Sequence, residues 1–102
     1  MSETTTFEDL ELLARNDLKA VFDQMPFDEV VAALWGCHVA LRGQLLRMLA
    51  KRDSTKIERA IAETPHLSFE QVRNAQSSAV VIMCQMSRAG QIAYDAPEDM
   101  VA

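Results

Sequence analysis

The cysteines and histidines are the side chains in this sequence that could bind a metal ion or act in covalent catalysis. Cys37 and His38 are adjacent, whereas His66 and Cys84 stand alone. A structural zinc site takes four ligands, usually in two closely spaced pairs, and no second pair follows at such a spacing. A catalytic cysteine needs a histidine that the fold brings against its thiol, and nothing in the sequence indicates such a pair. The sequence therefore predicts no metal site, and both cysteines are interpreted as buried free thiols of a cytosolic protein.

Other signatures of enzymes are missing from the sequence. It has no phosphate-binding loop and no glycine-rich dinucleotide turn, and its carboxylates are scattered along predicted helix surfaces rather than paired. We therefore predict that the protein is not an enzyme and binds no cofactor.

Positive charge is concentrated in the middle of the chain and points to binding rather than catalysis. Residues 37–60 contain six bases and two acids, although the whole chain has a net charge of −5. Such a region is either a solvated helix face balanced by its own neighbours or a docking face for an acidic protein. The predicted contact residues there are Lys51, Arg52, Lys56 and Arg59.

Trp35 is the second candidate for contact with a partner. It directly precedes Gly36 at the predicted end of a helix, where a tryptophan serves either as core or as an exposed interface anchor. We leave these two alternatives open at this stage and count Trp35 among the predicted partner-contact residues.

The overall charge and hydropathy exclude several classes of partner. A sequence pI of 4.9 argues against nucleic acid as the main partner. No run of 18 apolar residues is present, so no membrane span is predicted, and the polar start lacks the basic region of a secretory signal. We expect a cytoplasmic protein whose partners are other proteins.

Apolar residues recur at the spacing of α-helices along most of the chain, which predicts an all-α fold of about six short helices in an orthogonal or superhelical array. The first is predicted over 7–13, with Thr6 and Asp9 as its capping box. Asn16 or Asp17 caps the second, and Pro26 separates it from the third. Gly36 closes the third in a left-handed conformation.

The second half contains the longest element. The fourth helix is predicted over about 38–50, and Asp53 or Ser54 caps a fifth that runs to Glu63. Ser68 and Gln71 form a capping box for a long sixth helix over 69–89, with Gly90 just after its end. A piece over 91–94 is expected to fold back on the core. We expect residues 1–6 to be a disordered tail, 7–94 one domain, and 95–102 an acidic tail.

An ordered set of residues resembles the C-terminal domain of the flagellar motor switch protein FliG. The resemblance covers about residues 7–94 and is carried by Phe7-Glu8-Asp9-Leu10, Ala33-Leu34-x-Gly36, Leu41-Arg42, Leu45-Leu46, Leu49, Arg52, Val72-x-x-x-Gln76 and Gly90-x-Ile92. It implies a small armadillo-like superhelix on the cytoplasmic rotor ring, at the inner-membrane face of the basal body. It also implies that a charged helix, here about 53–63, meets the cytoplasmic loop of the stator subunit MotA, and that the domain contacts other switch proteins.

The chain departs from that family pattern at several charged positions. Arg52 keeps a charged position, but the usual lysine before the glycine is Trp35, the acidic pair falls on Arg59 and Ala60, and a later arginine is replaced by Ser68. The resulting face is basic where the family alternates in sign, and like charges across an interface are penalised. Two hypotheses follow: a rotor or switch domain that contacts stator or switch proteins, or a stand-alone adaptor outside flagella that docks an acidic partner through the basic 51–59 face.

Overall fold

The computed structural model describes residues 5–94, and all regular secondary structure in that range is helical. A 3₁₀ helix, Phe7–Leu12, precedes five α-helices: α1 (Arg15–Asp23), α2 (Phe27–Trp35), α3 (Val39–Met48), α4 (Lys51–Glu63) and α5 (Phe69–Arg88). The prediction of an all-α fold with a long last helix is confirmed. The tails were predicted over 1–6 and 95–102, and of these residues 1–4 and 95–102 lie outside the described part of the chain.

Helix α5 is the element against which the shorter helices pack. Its 20 residues make it about 30 Å long, and it contacts α1, α2 and the 3₁₀ helix. Small side chains let α2 approach it closely, since Ala33, Ala75 and Ala79 are all buried, and Gln76 Nε2 donates to the carbonyl of Ala33 at 3.0 Å. The largest fully buried side chains in the described part of the chain are Leu10, Leu18, Val21, Leu34, Leu45 and Met83.

Both ends of α5 are capped as predicted. Ser68 Oγ accepts from the amide of Gln71 at 3.1 Å, and Gln71 Oε1 accepts from the amide of Ser68 at 2.9 Å. Gly90 has φ +73°, and the amides of Gly90 and Gln91 donate to the carbonyls of Ser87 and Met86, which is a Schellman motif. Both caps could be predicted from the sequence because each involves residues within five positions of one another.

Gly36 ends α2 for a different reason from the one predicted. Its φ of −92° is right-handed, so the predicted left-handed stop is wrong. A Cβ built on Gly36 would lie 2.2 Å from Val72 Cγ1 on α5. Gly36 is therefore required by the close approach of two helices, whereas a Cβ on Gly43 would meet only the end of the Arg47 side chain, at 3.6 Å.

The corner between α3 and α4 comes earlier than predicted. Helix α3 ends at Met48, and Ala50 rather than Asp53 or Ser54 occupies the N-cap position of α4. Ser54 is buried inside α4, and its hydroxyl donates to the carbonyl of Leu46. Turning between Met48 and Lys51 lets both helices bury their apolar sides, and it places Arg52 in the first turn of α4 rather than past the end of α3.

The N-terminal caps also differ from prediction. Thr6 occupies the N-cap position of the 3₁₀ helix, but its hydroxyl donates to the Asp9 carboxylate at 3.3 Å rather than accepting from a helix amide. Ala14 occupies the N-cap position of α1, so neither Asn16 nor Asp17 caps that helix. Asp9 and Asp17 instead bind the segment after α5. The Asp9 carboxylate accepts from the Tyr94 hydroxyl at 2.6 Å, and the Asp17 carboxylate accepts from the Ala93 amide at 3.1 Å.

That C-terminal segment folds back on the domain, as predicted. Ile92 is buried, and the Tyr94 hydroxyl also lies 3.4 Å from the hydroxyl of Thr5. Thr5 is itself buried, at 4% exposure, although it falls in the range expected to be a tail.

Candidate interaction surface

Helix α4 carries an exposed row of cations on the side that faces away from the core. Arg52, Lys56 and Arg59 follow one another at intervals of four and three residues, which places them on one side of an α-helix. Ser54 and Ile57 are buried on the opposite side. All three cations are exposed. We call Arg52, Lys56 and Arg59 the basic stripe; Lys51, also exposed, lies beside it.

The fold does not neutralise the basic stripe. Among residues 5–94 the one ion pair is Lys19–Asp23 on α1, with Nζ and Oδ2 3.2 Å apart. Glu63 follows Arg59 by one turn, so the outward side of α4 reads as three cations and then one acid. The charges of the stripe remain available to another molecule.

Lys56 is held in place by an aromatic ring on another helix. Its Nζ lies 4.7 Å from the centroid of Phe27 at the start of α2, in the geometry of a cation–π interaction. Phe27 is 42% exposed, and its ring supports Lys56 at the surface. Sequence reasoning missed this contact because Phe27 fits the apolar spacing of α2.

The start of α4 is an unfavourable place for positive charge. Lys51 and Arg52 lie in its first turn, where the partial positive charge of the helix dipole repels cations by about 0.3–1 kcal/mol each. Asp53 in the same turn has the favourable sign. The two cations therefore do not contribute to helix stability through this dipole.

Trp35 lies on a separate surface from the basic stripe. It is half-buried and packs edge-on against His66, with the ring centroids 5.7 Å apart and an interplanar angle of 83°. The two rings line one end of a groove of about 750 Å³ beside α5. Other residues that line it include Phe7, Phe69, Val72, Arg73, Val80 and Val81. Trp35 is thus neither a core residue nor a neighbour of the stripe, but part of this groove, which we call the Trp35 groove.

Phe69 and Arg73 are groove residues that the sequence reasoning missed. Phe69 is 81% exposed although it is aromatic. The exposure of Phe69 could have been predicted from the sequence. Ala75, Ala79 and Met83 mark the buried side of α5, and the helical spacing places Phe69 on a different side. An aromatic residue on the outer side of a helix indicates a surface available for contact.

The described residues contain no cluster suited to metal binding. Within 5–94 no three His, Cys, Asp or Glu side chains converge as metal ligands. Burial raises the pKa of the Cys37 thiol, and nearby Arg42 and a backbone hydrogen bond offset this only in part, which keeps it protonated and poorly nucleophilic. His38 has a structural role, since its Nδ1 accepts from the Ala40 amide at 3.2 Å at the start of α3.

Across residues 5–94, no helix has the length and apolar character needed to cross a bilayer. The candidate surfaces are the basic stripe and the Trp35 groove.

Comparison with known proteins gives one family. The model of the FliG C-terminal domain matches residues 1–93. Full-length FliG from Aquifex aeolicus has a TM-score of 0.77 with 20% sequence identity, over 88% of this chain and 28% of that one. FliG residues 116–343 from H. pylori have a TM-score of 0.78 with 18% identity, over 87% of this chain and 39% of that one. The chain thus spans well under half the length of these FliG structures, and a search of curated proteins finds no match.

Proposed function

This chain belongs to the FliG C-terminal domain family, and on that premise we propose that it is a non-enzymatic, protein-contacting domain of a flagellar motor switch. The observation that supports this proposal is the basic stripe on α4. It occupies the helix through which, by resemblance, a FliG domain meets the stator, and its cations are exposed and unpaired within the described part of the chain.

The contact proposed for this surface is with the cytoplasmic loop of a MotA-like stator subunit, at the cytoplasmic face of the inner membrane. Two cations in the first turn of α4 oppose the helix dipole, and residues that weaken a helix locally are commonly kept for binding. Because the stripe is basic, the facing loop should present carboxylates. Lys56, held over Phe27, loses less side-chain freedom on binding than an unsupported lysine would.

A swimming assay tests the motor assignment. Deletion of this gene, or replacement of its product by Lys56→Glu/Arg59→Glu, should impair swimming or switching, and switch or stator proteins should co-purify with the wild-type chain only. Arg15→Glu is the matched control, since Arg15 is an exposed cation on α1 rather than on α4. A deletion strain that swims and switches normally, with no motor protein in the pull-down, would exclude the motor function.

The second candidate is a stand-alone adaptor that uses the same stripe outside flagella. The sign of the surface charge favours this adaptor, because Arg59 and Ala60 stand where the family has its acidic pair. The usual stator surface would therefore face a different pattern of charges on α4. In that case the Lys56→Glu/Arg59→Glu variant loses an acidic non-motor partner at low salt while swimming is unaffected. Unchanged pull-down of that partner would exclude the basic stripe as its docking surface.

A further inference from the structure

The Trp35 groove is a second surface, separate from the basic stripe on which the proposed motor function rests. Two of its lining side chains are apolar and yet largely in solvent, since Phe69 is 81% exposed and Val81 is 52% exposed. Trp35 and Val72 add half-buried apolar area between helices α2 and α5. A molecule that covered this area would gain free energy from removing it from water.

Charge in the groove favours an acidic occupant. Among the described residues that line it, Arg73 carries the one permanent charge, and none is an aspartate or glutamate. Arg73 is exposed and follows Phe69 by one turn of α5. A carboxylate placed beside this guanidinium can accept two hydrogen bonds from it, whereas a cation there would be repelled. An occupant should therefore combine apolar side chains with at least one acid.

The groove offers few partners to the backbone of an occupant. Regular structure within residues 5–94 is helical, so that range has no sheet edge to which a strand could be added. Two polar side chains of the lining are already engaged, because Gln76 donates to the carbonyl of Ala33 and the hydroxyl of Thr5 contacts that of Tyr94. A polypeptide in the groove should satisfy its own N–H and C=O groups, which an α-helix does.

The length of the α5 wall matches a short helix. Its lining residues run from Phe69 to Val81, which corresponds to about 18 Å along the α5 axis. A helix of about three turns has this length and presents apolar side chains at i, i+4 and i+7 on one side. We propose that the Trp35 groove binds an amphipathic α-helix of another protein, with its apolar side against the groove and an acid beside Arg73.

A second copy of this chain fits the groove less well. Of the large exposed apolar residues in the described part of the chain, the two that share a helix are Phe69 and Val81, on α5 itself. A symmetric antiparallel pair of α5 helices with Phe69 opposite Val81 would set the two Arg73 residues about 6 Å apart along the axis. Like charges at this separation oppose association, which favours a different protein as the occupant.

The test offers the full chain a helix of defined chemistry. The probe is a stapled peptide of about four turns, without tryptophan, that carries leucines at i, i+4 and i+7 and glutamates flanking them. Its matched control has lysines in place of the glutamates. Trp35 is the single tryptophan of the chain, so its fluorescence reports occupation of the groove. The glutamate helix should bind saturably and about fivefold or more tighter than the lysine helix, because an ion pair is replaced by a repulsion.

Substitutions in the chain locate the binding site. Val81→Asp should weaken binding of the glutamate helix by about tenfold or more, since it puts a charge where apolar contact is expected. Arg73→Glu should reverse the preference, so that the lysine helix binds more tightly. Val39→Asp is the matched control, because Val39 is an exposed apolar residue on α3 that does not line the groove, and it should bind as the wild type does.

Three results would overturn the inference: no saturable binding of either helix, equal binding of both, or binding that Val81→Asp leaves unchanged. Protection of Trp35 that grows with protein concentration in the absence of peptide would also overturn it, because a second copy would then be the occupant. None of these substitutions lies on the basic stripe, so failure at the groove and failure of the motor function are distinguishable.

Discussion

Arg52, Lys56 and Arg59 project from α4 into solvent, whereas Gly36 and Val72 meet at the α2–α5 contact so closely that no added methyl group fits. The first set can change charge without disturbing the packing, because no buried group depends on it. The second set is limited by the distance between two helices, and this distance in turn shapes the Trp35 groove. In this domain, then, the surface proposed to bind by charge and the helix contact that holds the fold are separate, and each can be altered alone.

The largest expected effect comes from adding one carbon at the packed contact. Gly36→Ala places a Cβ 2.2 Å from Val72 Cγ1, so the helices must separate, which should lower the free energy of unfolding by about 1–3 kcal/mol. Urea denaturation measures this. Gly43→Ala is the control and should instead stabilise the domain by up to about 1 kcal/mol, since it replaces a helix-interior glycine with space to spare.

A double variant sharpens that result. Val72→Ala removes both methyl groups that crowd Gly36. The double variant Gly36→Ala/Val72→Ala should therefore lose less free energy of unfolding than the sum of the losses in the two single variants. Additive losses would show that the Gly36–Val72 approach is not what requires the glycine.

A smaller effect is expected at the hydrogen bond that joins the two ends of the domain. Tyr94→Phe removes the donor to Asp9 and should cost about 1 kcal/mol in urea denaturation. Burial and the neighbouring Asp9 also raise the pKa of Tyr94. In the unfolded chain the phenol ionises near pH 10, while in the folded state it stays protonated to higher pH. Stability contributed by Tyr94 is therefore present below pH 10 and is lost as the pH rises toward the raised pKa.

The matched measurement is the stability of Tyr94→Phe against pH. The wild type should lose stability more steeply than this variant above pH 10. Parallel curves for the two proteins would contradict the assigned role of the Tyr94–Asp9 contact.

An effect of opposite sign, an increase in stability, is expected on the stripe side. Lys51→Glu/Arg52→Glu replaces two cations in the first turn of α4 with acids, so the helix dipole should stabilise the variant by roughly 0.3–1 kcal/mol per position, less at high salt. The same variant should lose its acidic partner. Loss of stability with binding retained would show that these cations serve the fold and that the contrast between the two regions is wrong.

Much of the fold was predictable because its signals are local. The capping box of Ser68 and Gln71, the left-handed Gly90 and the apolar spacing of α5 each depend on residues a few positions apart. The cations of the basic stripe were predicted as contact residues from their spacing, although Arg52 lay outside the predicted helix. The N-terminal boundary of α4 was missed because Ala50, which starts it, carries no capping side chain.

What the sequence alone determined about this protein is its helices, most of their ends and the charge of one helix side, because hydrogen bonds and side-chain spacing within a few residues decide these. Tertiary structure alone decided the purpose of Gly36, the pairing of Asp9 with Tyr94 across 85 positions, the support of Lys56 by Phe27 and the groove beside Trp35. Each of these joins residues that are far apart in the sequence. The distance between two helices depends on every side chain packed between them, so no local pattern carries it.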